Sequence, residues 1–223
     1  FFTPLYPSFT APHPINVLAM VATNVTLVLG NVAVLVAWRT EAEAQLNALA
    51  HTDMLSGLLN RRGWEEQAGT LWAHHKRQGT PLALLMLDLD WFKRINDTAG
   101  HEVGDQVIRS FGEVLRAAVR RGDVVARVGG EEFAVLMPLA DEPAARSLDA
   151  RLRELFQAVR IPGLHLPVGF SGGLALAHGD HTLDALMARA DAALYQAKHL
   201  GRGRLEVAPH PSNQSQDHAP SPV

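Results

Sequence analysis

The sequence predicts an α/β domain built on a mixed sheet, and three observations lead to that fold class. Residues 81–90, PLALLMLDLD, form a continuous apolar run of the kind found in strands buried on both faces. Two further apolar runs, DVVARV and EFAVLM, flank a pair of glycines and predict an antiparallel hairpin. Other segments repeat apolar residues at helical spacing. We therefore expect an antiparallel hairpin set among helix-connected strands.

The helices are predicted from the spacing of their apolar residues. The first covers 103–119, the second covers 148–159, and the third covers 183–197 with Gly201 as its C-terminal stop. Between the second and third helices, LPVGFSGGLALA indicates at least one more strand.

Composition limits the partners of the chain. The net charge is −3 and the basic residues are spread along the sequence, so no nucleic-acid partner is indicated. The chain has no cysteine, which excludes a disulfide framework and a thiolate zinc site.

Residues 15–38, INVLAMVATNVTLVLGNVAVLVAW, carry no charge. As a helix this segment would be about 36 Å long, enough to cross a hydrocarbon core of about 30 Å. We predict a transmembrane helix, with a buried helix of a soluble protein and a signal peptide as the alternatives. Arg39 follows directly, whereas no Lys or Arg precedes the segment, which favours a cytoplasmic C-terminal side. The expected localisation is a single pass through the inner (cytoplasmic) membrane.

The rest of the chain divides by composition. Residues 1–14 form a Pro- and aromatic-rich stub, expected on the non-cytoplasmic side. Residues 39–52 are rich in helix formers and predict a helical linker. The main domain is expected at 53–207, followed by a Pro- and Ser-rich tail at 208–223 that is predicted to be disordered.

Two carboxylates end the apolar run. Asp88 and Asp90 are two residues apart, so on a strand they share a face, and strand ends are where ligands bind. Carboxylates placed there suit Mg²⁺, which prefers oxygen ligands and keeps waters and substrate phosphates in its shell. The alternative is that one of the two merely caps the following turn.

The predicted hairpin tip adds two more carboxylates. We expect Gly129 and Gly130 to adopt the positive φ values of a tight turn, which places Glu131 and Glu132 at the tip. If the hairpin pairs beside the 81–90 strand, Glu131 can share a metal with Asp88 in a phosphoryl-transfer site of the two-metal kind. Alone, the segment would equally fit a solvated acidic turn.

Five segments, in this order, give the hairpin its context: DMLSGLLNRRGW, LDLDWFKRINDTAGHEVGDQVI, RVGGEEF, FSGGLALA and ADAALYQAKHLGRGR. Together they resemble the GGDEF domain family, the diguanylate cyclases. The resemblance implies a ferredoxin-like sheet with surrounding helices, of the nucleotide-cyclase palm type. It also implies condensation of two GTP into cyclic di-GMP and two pyrophosphates by a homodimer, with Mg²⁺ (or Mn²⁺) as cofactor and inhibition by the product.

The resemblance also implies catalytic roles. Asp88 and Glu131 would be metal ligands, joined by the carbonyl of Leu89. Glu132 would help to activate the attacking 3′-hydroxyl, and Lys93 would stabilise the transition state.

Substrate contacts are implied in the same way. Asn96 and Asp105 would bind the guanine. The expected phosphate contacts come from three cationic side chains and two backbone amides: Lys93, Lys198, Arg202, Trp91 and Phe92. By their offset from the hairpin, Arg120 and Asp123 would form an allosteric site for the product, although a surface ion pair fits the same spacing.

Two other functions remain as alternatives. A catalytically silent GGDEF module could act as a receptor for GTP or cyclic di-GMP, but silent modules usually lose the residues that Asp88, Lys93, Glu131 and Glu132 provide here. A cyclase of mixed purine specificity is disfavoured by Asp105, whose carboxylate pairs with guanine N1–H and N2–H in a way that adenine cannot match.

Overall fold

A computed structural model describes residues 14–49, 51–164, 168–178 and 180–209. The chain divides into an N-terminal unit, Phe1–Ala50, and a larger unit, His51–Val223. In the first unit a single helix, α1, covers Pro14–Leu49. Within Pro14–Glu41 an 18-residue window reaches a mean hydropathy of 2.0 and is not buried, so the interpretation as a buried helix of a soluble core is not supported. By length and composition α1 is a candidate membrane span.

The larger unit alternates helices and strands as predicted. Its described elements are α2 Arg61–Gln78, β1 Leu82–Leu89, α3 Phe92–Ala99, α4 His101–Ala118, β2 Val124–Arg127, β3 Glu132–Pro138, α5 Glu142–Ala158, β4 Phe170–Leu176, α6 Leu183–His199 and β5 Leu205–Val207. The predicted strands at 81–90 and in the hairpin are confirmed, as are the three predicted helices. The elements α2, α3 and β5 were not predicted from the sequence.

The strands form one sheet in the order β2-β3-β1-β4-β5. β1 is antiparallel to both β3 and β4, and β2 is antiparallel to β3, which is the ferredoxin-like arrangement. β5 runs parallel to β4 and makes the sheet mixed. Just beyond β5, Ala208 is buried and its N–H donates to the Leu174 carbonyl at 2.7 Å, although composition had assigned this residue to the tail. Residues 1–13 and 210–223, which include most of the predicted stub and tail, lie outside the described residues.

Alternation along β1 divides the core into two clusters. All eight residues of β1 are buried. Leu85 and Leu87 belong to the cluster packed by α4 and α5, whereas Leu84 and Met86 belong to the cluster packed by α2 and α6. Because successive strand residues point to opposite faces, the next even position, Asp88, lies on the face of α2 and α6.

Helix α6 is fixed at both ends and along its length. It begins at Thr182, whose side chain accepts from the Ala185 N–H at 3.1 Å, and it stops before Gly201, whose φ is 110°. Along the contact with β4, a Cβ added at Gly173 would meet the Ala190 carbonyl oxygen and would lie 2.8 Å from the Leu194 Cα. The backbone of α6 therefore lies directly against β4.

We expect Gly173→Ala to lower the free energy of unfolding by about 3 kcal/mol or more, because the new methyl group would meet backbone that cannot move aside. The matched control is Gly69→Ala in α2, where nothing lies within 4 Å of the added Cβ. That change is expected to stabilise the helix by about 0.5–1 kcal/mol. Denaturant unfolding measures both, and equal midpoints for the two variants would contradict the close contact.

Candidate active site

The hairpin between β2 and β3 turns at residues 128–131, with the Val128 N–H donating to the Glu132 carbonyl at 2.9 Å. The prediction of positive φ at Gly129 and Gly130 is wrong, since neither residue has one. The reason for glycine is steric at Gly129, where a Cβ would meet the Glu132 carboxylate and lie 3.2 Å from its Cβ. At Gly130 the added Cβ would face open space.

The hairpin tip pairs with the end of β1, as the sequence predicted. Asp88 lies opposite Glu132 in the register of β1 and β3, and the Leu89 N–H donates to the Glu131 carbonyl at 3.2 Å. Asp88 is only 4% exposed, and its Oδ2 lies 2.7 Å from the Lys198 Nζ of α6. Three carboxylates and one ammonium group thus gather where β1 ends.

Burial, together with neighbouring negative charges, raises carboxyl pKa values in this cluster. Burial raises the pKa of Asp88, Lys198 opposes the change, and Glu132 adds to it. Burial also raises the pKa of Glu131, and the negative charge of Asp88 raises it further. Partial burial and Glu132 raise the pKa of Asp191, which the sequence analysis had not singled out. The cluster therefore carries an excess of negative charge that a cation would relieve.

The donor chemistry fits a hard divalent cation. Within the described ranges, no three His, Cys, Asp or Glu side chains are arranged to hold a metal by themselves. Mg²⁺ needs fewer protein ligands, since it is usually held by one or two carboxylates together with water and substrate phosphates. Asp88 and Glu131 are suitable carboxylates for it, since burial raises the pKa of both and the charge of Asp88 raises the pKa of Glu131 further.

A cavity of about 480 Å³ opens beside Glu131. Its lining includes Phe92, Lys93, Asn96 and Asp105, so the structure brings together four of the predicted substrate residues. Lys198 and Arg202 do not line this cavity. Lys198 pairs with Asp88 instead, which differs from the expectation of a free phosphate ligand.

Asn96 lies where α3 and α4 meet, and Gly104 of α4 provides the space for it. A Cβ at Gly104 would meet the Asn96 Oδ1. That oxygen is buried and has no hydrogen-bond partner among the described residues. A buried polar atom without a partner is costly, and a ligand N–H would satisfy it if the Asn96 side chain, which lines the cavity, turned toward the ligand.

Comparisons with known proteins show the family of the chain. A family model described as "Diguanylate cyclase, GGDEF domain" matches residues 50–204. The chain belongs to this family. It is 44% identical over 161 residues to diguanylate cyclase DgcP of Pseudomonas aeruginosa, a match that covers 71% of this chain and 24% of DgcP. The chain thus spans about a quarter of that relative's length.

Solved structures of GGDEF domains have the same fold. The coiled coil and GGDEF domain of DgcB from Caulobacter crescentus, crystallised in complex with c-di-GMP, is 30% identical with a TM-score of 0.69, covering 82% of this chain and 99% of that one. The active GGEEF domain of a diguanylate cyclase from Vibrio cholerae is 30% identical with a TM-score of 0.65, covering 69% and 99%. The chain described here also has the Gly-Gly-Glu-Glu-Phe form.

A second cavity of about 520 Å³ lies on the opposite side of the GGDEF hairpin, between α2 and α6. Trp64 and Met86 contribute to its lining, together with Glu132, Asp191 and Lys198. The two adjacent glutamates of the signature therefore line different cavities: Glu131 lines the first and Glu132 lines the second.

Both carboxylate oxygens of Asp90 accept hydrogen bonds from other parts of the domain. Its Oδ1 accepts from the Ser171 hydroxyl at 2.7 Å, and its Oδ2 accepts from the Gly203 N–H at 3.0 Å. Asp90 therefore connects the end of β1 to β4 and to the loop after α6. This structural role is close to the alternative in which one of the two aspartates only caps a turn.

Sequence reasoning missed the residues that hold the GGDEF turn in place. The Arg127 guanidinium donates to the Gly130 carbonyl from Nη2 at 2.7 Å and from Nε at 3.1 Å. Its Nη1 donates to both carboxylate oxygens of Asp53, at 3.1 and 3.2 Å. The only available signal was Arg127 two residues before Gly129, since its partner lies 74 residues away in the sequence.

At the other end of β2, Arg120 and Asp123 pair with each other. The Arg120 Nε donates to Asp123 at 3.1 Å, and the Arg120 guanidinium also reaches the Pro138 carbonyl. The Arg120 side chain is 54% exposed, whereas that of Asp123 is 4% exposed. The pair is consistent with both sequence interpretations, a surface ion pair and a product site.

We expect Asp53→Asn to lower the free energy of unfolding by about 1–2 kcal/mol at pH 7, because Arg127 would lose a charged partner. Burial alone would raise the pKa of Asp53, but hydrogen bonds from Ser56 and Arg127 outweigh it and hold the pKa below the usual 3.8. The stabilisation is therefore complete above pH 3.8 and is lost as the pH falls through the lowered folded-state value.

Urea unfolding of wild type and Asp53→Asn at several pH values tests this prediction. Their difference in stability should shrink in acid, because protonation of Asp53 makes wild type resemble the variant. Glu65→Gln is the control, since Glu65 forms an exposed ion pair with Arg61 at 3.3 Å that should contribute little. A difference between wild type and Asp53→Asn that is independent of pH would contradict the role of the Asp53 charge.

Proposed function

We propose that this chain is a diguanylate cyclase that condenses two GTP into cyclic di-GMP. In each half-reaction the 3′-oxygen of one GTP bonds to the α-phosphorus of the other, the bond to pyrophosphate breaks, and the 3′-hydroxyl loses its proton. The observation that carries the proposal is that Glu131 lies close to Asp88 and lines the same cavity as Asn96 and Asp105. A silent module has no need for this concentration of carboxylates.

The base specificity follows from the cavity. The Asp105 carboxylate can accept from both N1–H and N2–H of guanine, and the Asn96 amide, once turned toward the base, would offer one more acceptor. Adenine lacks the paired donors, and a site built to hydrogen-bond one ligand rejects a ligand that leaves its polar groups unpaired. GTP is therefore favoured over ATP, which argues against the mixed-purine alternative.

The chain's own residues divide the work of the reaction. Asp88, Glu131 and the Leu89 carbonyl would hold Mg²⁺ or Mn²⁺, which supplies neutralisation of phosphate charge when bound. Lys93, which lines the first cavity, would contact the phosphates. Glu132 would accept the proton of the attacking hydroxyl.

The remaining phosphate contacts would come from the end of α6 and the start of α3. Lys198 has to leave Asp88 to reach a phosphate. Arg202 would bind the same group, and the backbone N–H groups of Trp91 and Phe92, at the N-terminus of α3, would hold phosphate oxygens.

A homodimer is part of the proposal. The product has two-fold symmetry, whereas each domain has one cavity with the guanine-reading residues among those described. Two domains must therefore face each other, each presenting a 3′-hydroxyl to the other's α-phosphate. Residues 39–52 would set the dimer geometry, and residues 15–38 would anchor the chain in the inner membrane with the GGDEF domain in the cytoplasm.

Incubation of the full chain with GTP and Mg²⁺, with products separated by chromatography, tests the proposal. We expect wild type to form cyclic di-GMP and Glu131→Gln to retain less than about a tenth of its turnover, because a metal carboxylate and its charge are lost. Glu113→Gln, which changes an exposed glutamate of α4, is the control and should match wild type. No cyclic di-GMP from wild type would favour the silent receptor, and near-normal turnover by Glu131→Gln would remove Glu131 from catalysis.

Product inhibition through Arg120 and Asp123 is a separate part of the proposal. Arg120 is exposed enough to bind a phosphate or guanine acceptor with two N–H groups. Progress curves of wild type should slow as cyclic di-GMP accumulates, whereas Arg120→Ala should continue until GTP is exhausted. Arg146→Ala, which removes another exposed arginine paired with a carboxylate, is the control. Identical curves for wild type and Arg120→Ala would leave only the surface ion pair.

A further inference from the structure

Trp91 and Arg202 stack on each other next to the phosphate contacts proposed above. The Arg202 Cζ lies 4.0 Å from the centre of the Trp91 ring, within the range of a cation–π interaction. Trp91 is 58% exposed, so burial of its own surface does not explain its position. Among the described residues, the Arg202 guanidinium has no carboxylate or carbonyl partner. The indole is thus the contact that orients it.

The backbone on both sides of the stack is fixed in an unusual conformation. Trp91 has φ 59° and Arg202 has φ 63°, and both values lie in the left-handed region that residues other than glycine rarely adopt. The Arg202 N–H donates to the Ala197 carbonyl at 3.0 Å. Asp90 precedes Trp91 and accepts from the N–H of Gly203, the residue after Arg202, at 3.0 Å. The first bond fixes Arg202 to the end of α6, and the second holds the segment of Arg202 against that of Trp91.

Stacking leaves the hydrogen-bonding capacity of the guanidinium unused. The indole ring offers no carboxylate or carbonyl oxygen to the guanidinium, so the N–H donors of Arg202 remain available for a phosphate. A carboxylate partner would instead occupy those donors, as Asp88 occupies the ammonium group of Lys198. Arg202 is therefore both oriented and ready to bind an anion.

We propose that the Trp91 side chain is a positioning residue that holds Arg202 for the terminal phosphates of a nucleoside triphosphate and for the pyrophosphate released from it. The inference rests on the proposed function for the identity of the substrate. It concerns the indole ring, in addition to the backbone amide of Trp91 that the family resemblance assigns to phosphate binding.

The variants are chosen so that the backbone conformation is kept. Trp91→Asn removes the ring, and asparagine tolerates positive φ better than other residues with side chains. Trp91→Phe retains an aromatic face. Arg202→Lys keeps the charge but loses the flat group that stacks. Thermal unfolding of each variant shows whether the domain remains folded.

Binding of GTP, inorganic pyrophosphate and guanosine to the full chain is measured by titration calorimetry. We expect Trp91→Asn to lower the affinity for GTP and for pyrophosphate by about two- to fivefold, the size of an exposed cation–π contact. The affinity for guanosine should stay unchanged. Trp91→Phe should restore most of the loss. In the Arg202→Lys background, Trp91→Asn should have little further effect on the affinity for pyrophosphate.

Three results would overturn the proposal: unchanged pyrophosphate affinity in Trp91→Asn, an equal loss for guanosine, or the same loss in the Arg202→Lys background. If Trp91→Asn does not fold, Trp91→Phe and Arg202→Lys are compared with wild type instead. Of these two variants, only Arg202→Lys should lower the affinity for pyrophosphate appreciably. Failure of the wild type to make cyclic di-GMP would refute the proposed function alone, since the pyrophosphate measurements do not depend on turnover.

Discussion

Seven consecutive residue pairs join β1 to β3, from Leu82 opposite Pro138 to Asp88 opposite Glu132. This register determines where the chemistry of the GGDEF domain can occur. A slip by one residue would turn Asp88 from the face of α2 and α6 to the other face of the sheet. It would also separate Asp88 from Lys198 and from the hairpin tip. Arg127 supports the same register from outside, since it fixes the turn through the Gly130 carbonyl.

The register brings like charges together, which opposes folding. Asp88 and Glu131 are both partly desolvated, and Asp88 raises the pKa of Glu131. Lys198 relieves part of this repulsion at 2.7 Å from Asp88, but one ammonium group cannot neutralise three carboxylates. Natural sequences break the rules of stable packing mainly at functional sites. Here the unfavourable charge lies where the proposed metal and phosphates would bind, so ligand binding would stabilise the domain.

The parts that sequence predicts well are those with local patterns. The apolar run of β1 and the spacing of the helical segments gave the right elements, and the proximity of Asp88 to Glu131 followed from pairing the hairpin beside β1. The reason for Gly129 was wrong, because its space is required by the Glu132 side chain and not by φ. Contacts between distant segments, such as Arg127 with Asp53, have no local pattern. Such contacts depend on a fold that has already formed.

The direct backbone contact at Gly173 leaves α6 without freedom to slide along the sheet. A helix that ratchets past its neighbour moves by about 5.4 Å per turn, which requires side chains that can interchange at the interface. At Gly173 the sheet offers no side chain, and the Ala190 carbonyl would collide with any added atom. The backbone of Lys198, near the C-terminal end of α6, therefore keeps a fixed position relative to the ends of the strands. If two domains act together as proposed, a fixed position of α6 suits a control in which the frequency of their meeting, rather than a shift of this helix, sets the output.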